Sequence, residues 1–439
     1  MHGVKRQPKT AASAEARAAR KAKEASKLAA YLEIERTFFD HKRAARKDTT
    51  AFDHTTKLLT LNPELYTVWN YRREVLLHIF EGKVEVEADS KGEERDVFAS
   101  LREGQVQDNA DVAEKDGGEA DEERERVERN QQLMEDDLML TEHALRAHPK
   151  VYWIWNHRMW CLTQYPTLPS SSTSTSSTTV SDTWVWEREL KLVEKMLDLD
   201  PRNFHGWNCR RAITQHLSLR MLSSHPATSD LSSTQPSFPA LLSNATLQQA
   251  DAVAVKRKLS TLAEKELAYT LRKIESNFSN FSAWHQRSQL LPHMWTVQQL
   301  DQTQIDLRID AELELIKQAM YTDPSDQSVW FYHRWLVDLL LAKPSATEHA
   351  EGKGRRQRQV KVMQEEIGVI EELFELEPDS KWCALSLAHY NMLLADLYEE
   401  GKEREQAKEK AERLLQQLIE LDPDREQRYK DLLEGRAHF

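Results

Sequence analysis

The chain is poor in the residues that interrupt helices and in those that crosslink secreted domains. It has 12 glycines and 14 prolines in 439 residues, whereas 30% of its residues are charged. Scarce glycine and abundant charge favour helices over many short strands. The three cysteines, Cys161, Cys209 and Cys383, stand far apart and form no CxxC pair. We therefore expect no disulfide framework and predict a reducing compartment, the cytoplasm.

Long hydrophobic runs and excess positive charge are also missing. No run of 18 apolar residues occurs, so no membrane span is predicted. The formal net charge of −12 argues against general nucleic-acid binding. Residues 1–30 form a basic, Ala-rich segment that could be a transit peptide, but Glu15 and Glu24 argue against that role. We expect a solvated or partner-facing helix there.

Self-sufficient catalytic motifs are absent as well. The sequence has no HExxH, GxSxG, Walker loop or GxGxxG. Its 16 histidines do not pair at metal-ligand spacing, so no metal site is predicted in this chain. If the chain belongs to an enzyme, another chain must supply the nucleophile and the metal.

What the sequence does contain is an internal repeat centred on tryptophan. Each of the five copies has a turn and then a tryptophan that is followed by a basic residue. In four of the copies an aromatic residue stands between the turn and the tryptophan. The pairs are Trp69 with Arg72, Trp155 with Arg158, Trp207 with Arg210, Trp284 with Arg287, and Trp330 with Arg334. In the fifth copy His333 takes the arginine place and Arg334 follows it. An internal repeat fixes the architecture before any local motif is considered.

Each tryptophan segment follows an amphipathic stretch that ends near a turn, usually at a proline. In residues 187–199, for example, Leu190, Val193 and Leu197 lie on one helical stripe. Proline ends such a stretch because it lacks an N–H group. Each repeat is therefore predicted to be a helical hairpin, and the fold an all-α, right-handed superhelical array of about seven hairpins across residues 31–439.

The repeats have definite positions, and uneven spacing between them indicates insertions. The hairpins are predicted near 48–81, 132–166, 185–219, 262–296, 309–343 and 364–398, with a terminal hairpin at 403–435. Acidic or Ser/Thr-rich stretches at 82–128, 168–182 and 223–246 separate some of them. These stretches hold too few apolar residues to offset the entropy of ordering, so disorder is predicted for all three.

The repeated residues have two possible roles. The tryptophans are expected to fill the space within and between hairpins. The arginines could stack on indole or bridge to carboxylates of a neighbouring helix, or they could form a ridge that faces a partner protein. Both alternatives stay open from the sequence.

The block Pro-x-x-aromatic-x-x-Trp-(Asn/His)-x-Arg-Arg resembles the alpha-subunit repeat of protein prenyltransferases, from about Thr55 to Tyr429. Within that family the chain resembles the type II branch, which geranylgeranylates Rab GTPases, in its short form without immunoglobulin-like and leucine-rich domains. The features that carry this are Met1-His2-Gly3, Phe204, Trp330-Phe331-Tyr332-His333-Arg334-Trp335 and Lys381-Trp382-Cys383.

The resemblance implies an alpha subunit, inactive alone, in a heterodimer whose beta subunit holds zinc. Substrates would be geranylgeranyl diphosphate and a Rab GTPase carried by an escort protein. It also implies that Lys150 and Tyr152 stabilise the diphosphate. Without the resemblance, Lys150 is a charge in a turn and Tyr152 a packed aromatic. Two alternatives stay open: a farnesyltransferase or type I alpha subunit acting on CaaX proteins, and a non-enzymatic helical scaffold.

Overall fold

The computed structural model describes residues 14–82, 119–166, 183–223, 253–342 and 352–439, and within these ranges it contains helices and no strand. The helices are α1 (Ala14–Arg43), α2 (Thr49–Leu61), α3 (Tyr66–Phe80), α4 (Glu119–Ala147), α5 (Tyr152–Thr163), α6 (Trp184–Leu199), α7 (Phe204–Ser223), α8 (Val253–Ser276), α9 (Phe281–Val297), α10 (Gln302–Thr322), α11 (Gln327–Leu341), α12 (Gly352–Leu376), α13 (Lys381–Leu397), α14 (Lys402–Leu421) and α15 (Glu426–Leu433). A 3₁₀ turn, Pro423–Arg425, precedes the last helix.

The chain divides into two compact units, Met1–Val185 and Trp186–Phe439. In the first unit α1 packs on α2, α2 on α3, and α4 on α5, while α3 also contacts α5. In the second unit α8 pairs with α9, α10 with α11, and α12 with α13. The second helices of successive hairpins, α9, α11 and α13, also contact one another in order. Each unit is thus built from antiparallel hairpins joined through their second helices.

Three hairpin turns follow from an Asn or Asp just after the first helix, namely Asn62, Asn277 and Asp323. The side-chain oxygen of Asn62 accepts from the Glu64 main-chain N–H at 3.2 Å, and Asp323 accepts from Ser325 at 3.0 Å. Such Asx turns redirect the main chain, and the proline next to them cannot continue a helix. The sequence signal for these turns therefore has a direct structural cause.

Two predicted boundaries need correction. The predicted disordered insertion 82–128 is too long, because α4 already begins at Glu119. Its first turns are rich in Glu and Arg, which are good helix formers, and Arg124 pairs with Glu128 at 2.9 Å one turn later. Residues 83–118, 168–182 and 224–246 of the predicted insertions lie outside the described residues.

The predicted N-terminal segment 1–30 is not separate from the first hairpin. Helix α1 runs without interruption through residue 30 to Arg43, and it buries Phe38. All residues from 16 to 30 are exposed, which fits the expected solvated or partner-facing helix. Residues 1–13 lie outside the described part. None of the helices in the described ranges is long and apolar enough to cross a membrane.

Candidate functional site

The repeat tryptophans close the turns of their own hairpins. Each is at most 4% exposed, and each indole N–H donates to the main-chain carbonyl six residues earlier. The bonds join Trp69 to Pro63 (2.9 Å), Trp155 to Pro149 (2.9 Å), Trp207 to Pro201 (2.9 Å), Trp284 to Phe278 (2.7 Å) and Trp330 to Pro324 (2.9 Å). Because the acceptor is a main-chain oxygen, the fourth repeat keeps the bond although Phe278 replaces proline.

The basic residue three positions after the tryptophan pairs with a carboxylate on the first helix of the following hairpin. We call this set of buried pairs the charge ladder. Its members are Arg72–Asp137, Arg210–Glu266, Arg287–Glu312 and His333–Glu366. The arginine Nε donates at 2.8 Å in each of the three arginine pairs. The structure therefore favours the internal alternative for these arginines over a partner-facing ridge.

The carboxylates were missed from the sequence, although they have a regular position. Three of them, Asp137, Glu266 and Glu312, precede the tryptophan of their own repeat by 18 residues, whereas Glu366 precedes Trp382 by 16. The third repeat has Glu189 at this place, also buried. Arg158, the arginine before it, is buried too and donates from Nη1 to the Thr141 hydroxyl of its own hairpin at 2.8 Å. An acid 18 residues before the tryptophan, present in the second to fifth repeats, is the signal that could have identified all of the ladder acids except Glu366.

Two of the ladder acids, Asp137 and Glu312, accept a second hydrogen bond from their own hairpin. His157 Nε2 lies 2.8 Å from Asp137 Oδ2, and the Tyr332 hydroxyl donates to Glu312 at 2.7 Å. Both donors stand two residues after a repeat tryptophan. Each of these two carboxylates thus joins two hairpins, accepting from one through arginine and from the other through His157 or Tyr332.

Charge pairing sets the protonation states in this interior. Burial raises the pKa of Asp137, but the Arg72 charge and the His157 hydrogen bond outweigh it and lower that pKa to about 2. Burial lowers the pKa of His157 despite the neighbouring Asp137. Arg73 Nε donates to His157 Nδ1 at 3.2 Å, so the Nδ1 atom is unprotonated and Nε2 carries the hydrogen. His157 is a neutral donor here.

Asp137, His157 and Cys161 place three possible metal-ligand atoms within 4.8 Å of one another. The carboxylate already accepts from Arg72 and His157, and the Arg72 charge would repel a cation. Burial also raises the pKa of the Cys161 thiol well above its usual value, which keeps the thiol protonated. The chemistry of this set fits a ladder pair better than a metal site.

Two members of the ladder depart from the common form. In three hairpins the arginine Nη1 donates to a threonine on the first helix, namely to Thr55, Thr141 or Thr270. Val193 holds that place in the third repeat, and Arg210 Nη1 has no hydrogen-bond partner among the described residues.

In the fifth repeat His333 bridges Glu366 and the Tyr390 hydroxyl, at 2.8 and 2.7 Å. Arg334, the basic residue singled out by sequence, is only half-buried.

In contrast to the ladder, the starts of four second helices, α3, α5, α7 and α9, present aromatic side chains at the surface. These stand three residues before the repeat tryptophan and are 52–57% exposed: Tyr66, Tyr152, Phe204 and Phe281. We call this set the turn aromatics. Tyr152 is therefore not a packed aromatic. Lys150 is exposed two residues before it, in the turn that leads into α5.

The helix starts also differ in how they are capped. Asn280, Asp326 and Ser380 accept first-turn N–H groups at the starts of α9, α11 and α13. Val151 precedes α5, and Leu65 precedes α3, and neither side chain has a polar atom that could cap. The first-turn N–H groups of a helix attract anions. At α5 this positive end adjoins Lys150, which makes it the strongest candidate for an anion site.

The chain is similar in sequence and in fold to known proteins. A family model described as "Protein prenyltransferase alpha subunit repeat" matches residues 48–79, 134–165, 186–217, 263–294 and 309–340. The geranylgeranyl transferase type-2 subunit alpha of Schizosaccharomyces pombe is 30% identical over 437 residues, which is 99% of this chain and 98% of that protein. The same subunit of Rattus norvegicus is 29% identical over 77% of this chain but only 42% of its own length.

A solved structure, "Candida albicans protein geranylgeranyltransferase-I complexed with GGPP", has a TM-score of 0.51 and 16% identity, and covers 93% of this chain and 90% of that chain. At this identity it shows the fold alone, and it confirms the helical array expected from the repeats. The chain thus spans nearly the whole length of the S. pombe subunit and less than half the length of the rat protein. The chain belongs to the family of geranylgeranyl transferase type-2 alpha subunits.

Proposed function

We propose that this chain is the alpha subunit of a cytoplasmic heterodimer that transfers geranylgeranyl from geranylgeranyl diphosphate to C-terminal cysteines of Rab GTPases presented by an escort protein. The full-length identity of 30% to a type-2 alpha subunit carries this proposal. In the reaction a cysteine sulfur bonds to C1 of the prenyl chain, the C1–O bond breaks, and diphosphate leaves with the bonding electrons.

The turn aromatics are the surface that a beta subunit would cover. In the first unit they are Tyr66 and Tyr152, and in the second Phe204 and Phe281. Each stands at the same place in its hairpin, so within each unit they recur at the same end of successive second helices. Aromatic side chains are enriched in the cores of protein interfaces. An obligate interface of this kind should bury more than about 2,000 Å² in total.

Lys150 is proposed to stabilise the diphosphate as negative charge develops on it, and Tyr152 to donate a weaker hydrogen bond. Both are exposed at the start of α5. A fixed cation and a hydroxyl donor stabilise a departing anion more in the transition state than in the ground state, which raises the rate of the chemical step.

Zinc is proposed to reside in the beta subunit. When bound there, it would keep the attacking thiol deprotonated at neutral pH. In this chain the Asp137, His157 and Cys161 set is already committed to the ladder, so no described residues here fit that role.

The test is the Lys150→Ala variant, purified as a heterodimer with the beta subunit. The rate of geranylgeranyl transfer to a Rab–escort complex should fall about 10- to 100-fold, because one transition-state contact is lost. Gel filtration should show an intact dimer. Arg202→Ala is the matched control, because Arg202 is an exposed cation at the same position of the third repeat. Its rate should change less than about threefold.

An unchanged rate in Lys150→Ala would remove Lys150 from the site. The substrate class is tested separately with the unmodified heterodimer. Transfer to a CaaX peptide in preference to the Rab–escort complex would assign the chain to the type I or farnesyl branch. Failure of the chain to copurify with a coexpressed prenyltransferase beta subunit would favour the scaffold alternative.

A further inference from the structure

One residue of the second repeat breaks the internal pattern, and it adjoins the proposed diphosphate contact. Two positions before the repeat tryptophan, four repeats have small or polar residues: Thr67, His205, Ser282 and Ser328. The second repeat alone has a large aromatic, Trp153. This tryptophan stands next to Tyr152 in the first turn of α5 and is 40% exposed. An exposed indole is not explained by core packing.

Trp153 contacts the preceding hairpin. Its ring lies 5.1 Å from that of Tyr66, the first residue of α3, with the planes inclined at 39°. One turn further along, the Trp69 and His157 rings lie 4.6 Å apart, and Arg73 bonds to His157. The α3–α5 contact is therefore a continuous stripe whose outermost member is the Tyr66–Trp153 pair.

The pair lies beside the helix-capping position, which has a polar residue in other repeats and an apolar one here. Asn280 and Asp326 hold the starts of α9 and α11 through hydrogen bonds to first-turn N–H groups. Val151 cannot do this for α5. A polar cap would also compete with an anionic ligand for those N–H groups. An aromatic contact can fix the helix start without occupying them.

We propose that Tyr66 and Trp153 form a positioning pair, which holds the first turn of α5 so that Lys150 and Tyr152 meet the diphosphate of the prenyl donor. The inference rests on the proposed function. The pair acts through Lys150, and neither ring needs to touch the substrate.

The test uses Trp153→Ser, which introduces the residue found in the fourth and fifth repeats, in the heterodimer. We expect kcat for geranylgeranyl transfer to fall about tenfold, because a misplaced catalytic group lowers the rate of the chemical step. The dimer should stay intact, and KM for geranylgeranyl diphosphate should change less than about threefold. Trp153→Phe should restore kcat to within about twofold, because it keeps the aromatic contact. Phe331→Ala, which removes another exposed ring pair with Trp382 (5.8 Å apart), is the control and should leave kcat unchanged.

The double variant Lys150→Ala/Trp153→Ser separates this inference from the proposed function. If Trp153 acts through Lys150, the double variant should be no slower than Lys150→Ala alone. If both single variants are slow and their effects multiply, the positioning role is overturned while Lys150 keeps its role. If Lys150→Ala transfers geranylgeranyl at the unchanged rate, Lys150 does not contact the diphosphate, and the positioning role that depends on it is overturned as well. Dissociation of the dimer in Trp153→Ser would overturn the inference in favour of a direct contact with the beta subunit.

Discussion

The buried ladder and the exposed turn aromatics belong to the same hairpins, but the ladder is nearly constant from repeat to repeat whereas the turns differ. In the ladder, the geometry is nearly constant: an arginine Nε lies 2.8 Å from a carboxylate in three pairs. At the turns, the cap is apolar before α3 and α5 and polar before α9, α11 and α13. The constant region holds the hairpins together, and the varied region is where chemistry and partners can be specified.

The largest expected effect is a loss of stability that separates two basic residues, Arg287 and Arg334, that look alike in the sequence. Arg287→Ala should lower the free energy of unfolding by about 3–5 kcal/mol, because it leaves the Glu312 charge buried without its partner. Arg334→Ala should lower it by less than about 1 kcal/mol, because His333 holds the buried place. Urea denaturation followed by circular dichroism measures both. Equal losses of unfolding free energy in the two variants would show that His333 does not take the place of the arginine in the last pair.

A smaller effect concerns the pH dependence of the first ladder pair. The folded-state pKa of Asp137 is about 2, below its ordinary 3.8. Its contribution is therefore complete above about pH 4 and is lost as the pH falls towards 2, a difference of about 2 kcal/mol. Asp137→Asn cannot titrate, so it should start less stable and lose less stability over this range. Urea midpoints measured at several pH values test this, and parallel curves for the two proteins would contradict it.

The smallest effect would repair the incomplete third pair. Val193→Thr supplies the hydroxyl that Arg72, Arg158 and Arg287 already use, so Arg210 Nη1 gains an acceptor. We expect a gain in the free energy of unfolding of about 1 kcal/mol, the net value of a hydrogen bond to a buried donor. Thermal denaturation measures it.

The control for this repair is the same substitution in an Arg210→Met background. There the new hydroxyl has no guanidinium to accept from, so Val193→Thr should be neutral or destabilising. A gain of the same size in both backgrounds would attribute the effect to something other than the arginine.

The hairpins were predictable because proline and the 3,4 spacing of apolar residues act locally. The ladder acids were missed because the arginines that reach them belong to another hairpin, and only their fixed distance from the repeat tryptophan marks them in the sequence. Helix α1 continues past the predicted boundary at residue 30 because Ala, Lys and Glu extend a helix as readily as they form a tail. Lys150 was identified only through the family resemblance, and its exposure is what the structure adds. Trp153 could have been found earlier by comparing the repeats with one another.

The Arg72–Asp137 pair also explains how this chain tolerates long insertions. The two residues are 65 positions apart, whereas Arg287 and Glu312 are 25 apart. Doubling the length of a connecting segment costs only about 0.6 kcal/mol in closure entropy, but a buried arginine that misses its acid costs about 3–5 kcal/mol. The buried pair thus holds two neighbouring hairpins together whatever the length of chain between them. Evolution can therefore lengthen or replace the intervening segments without changing which hairpin follows which.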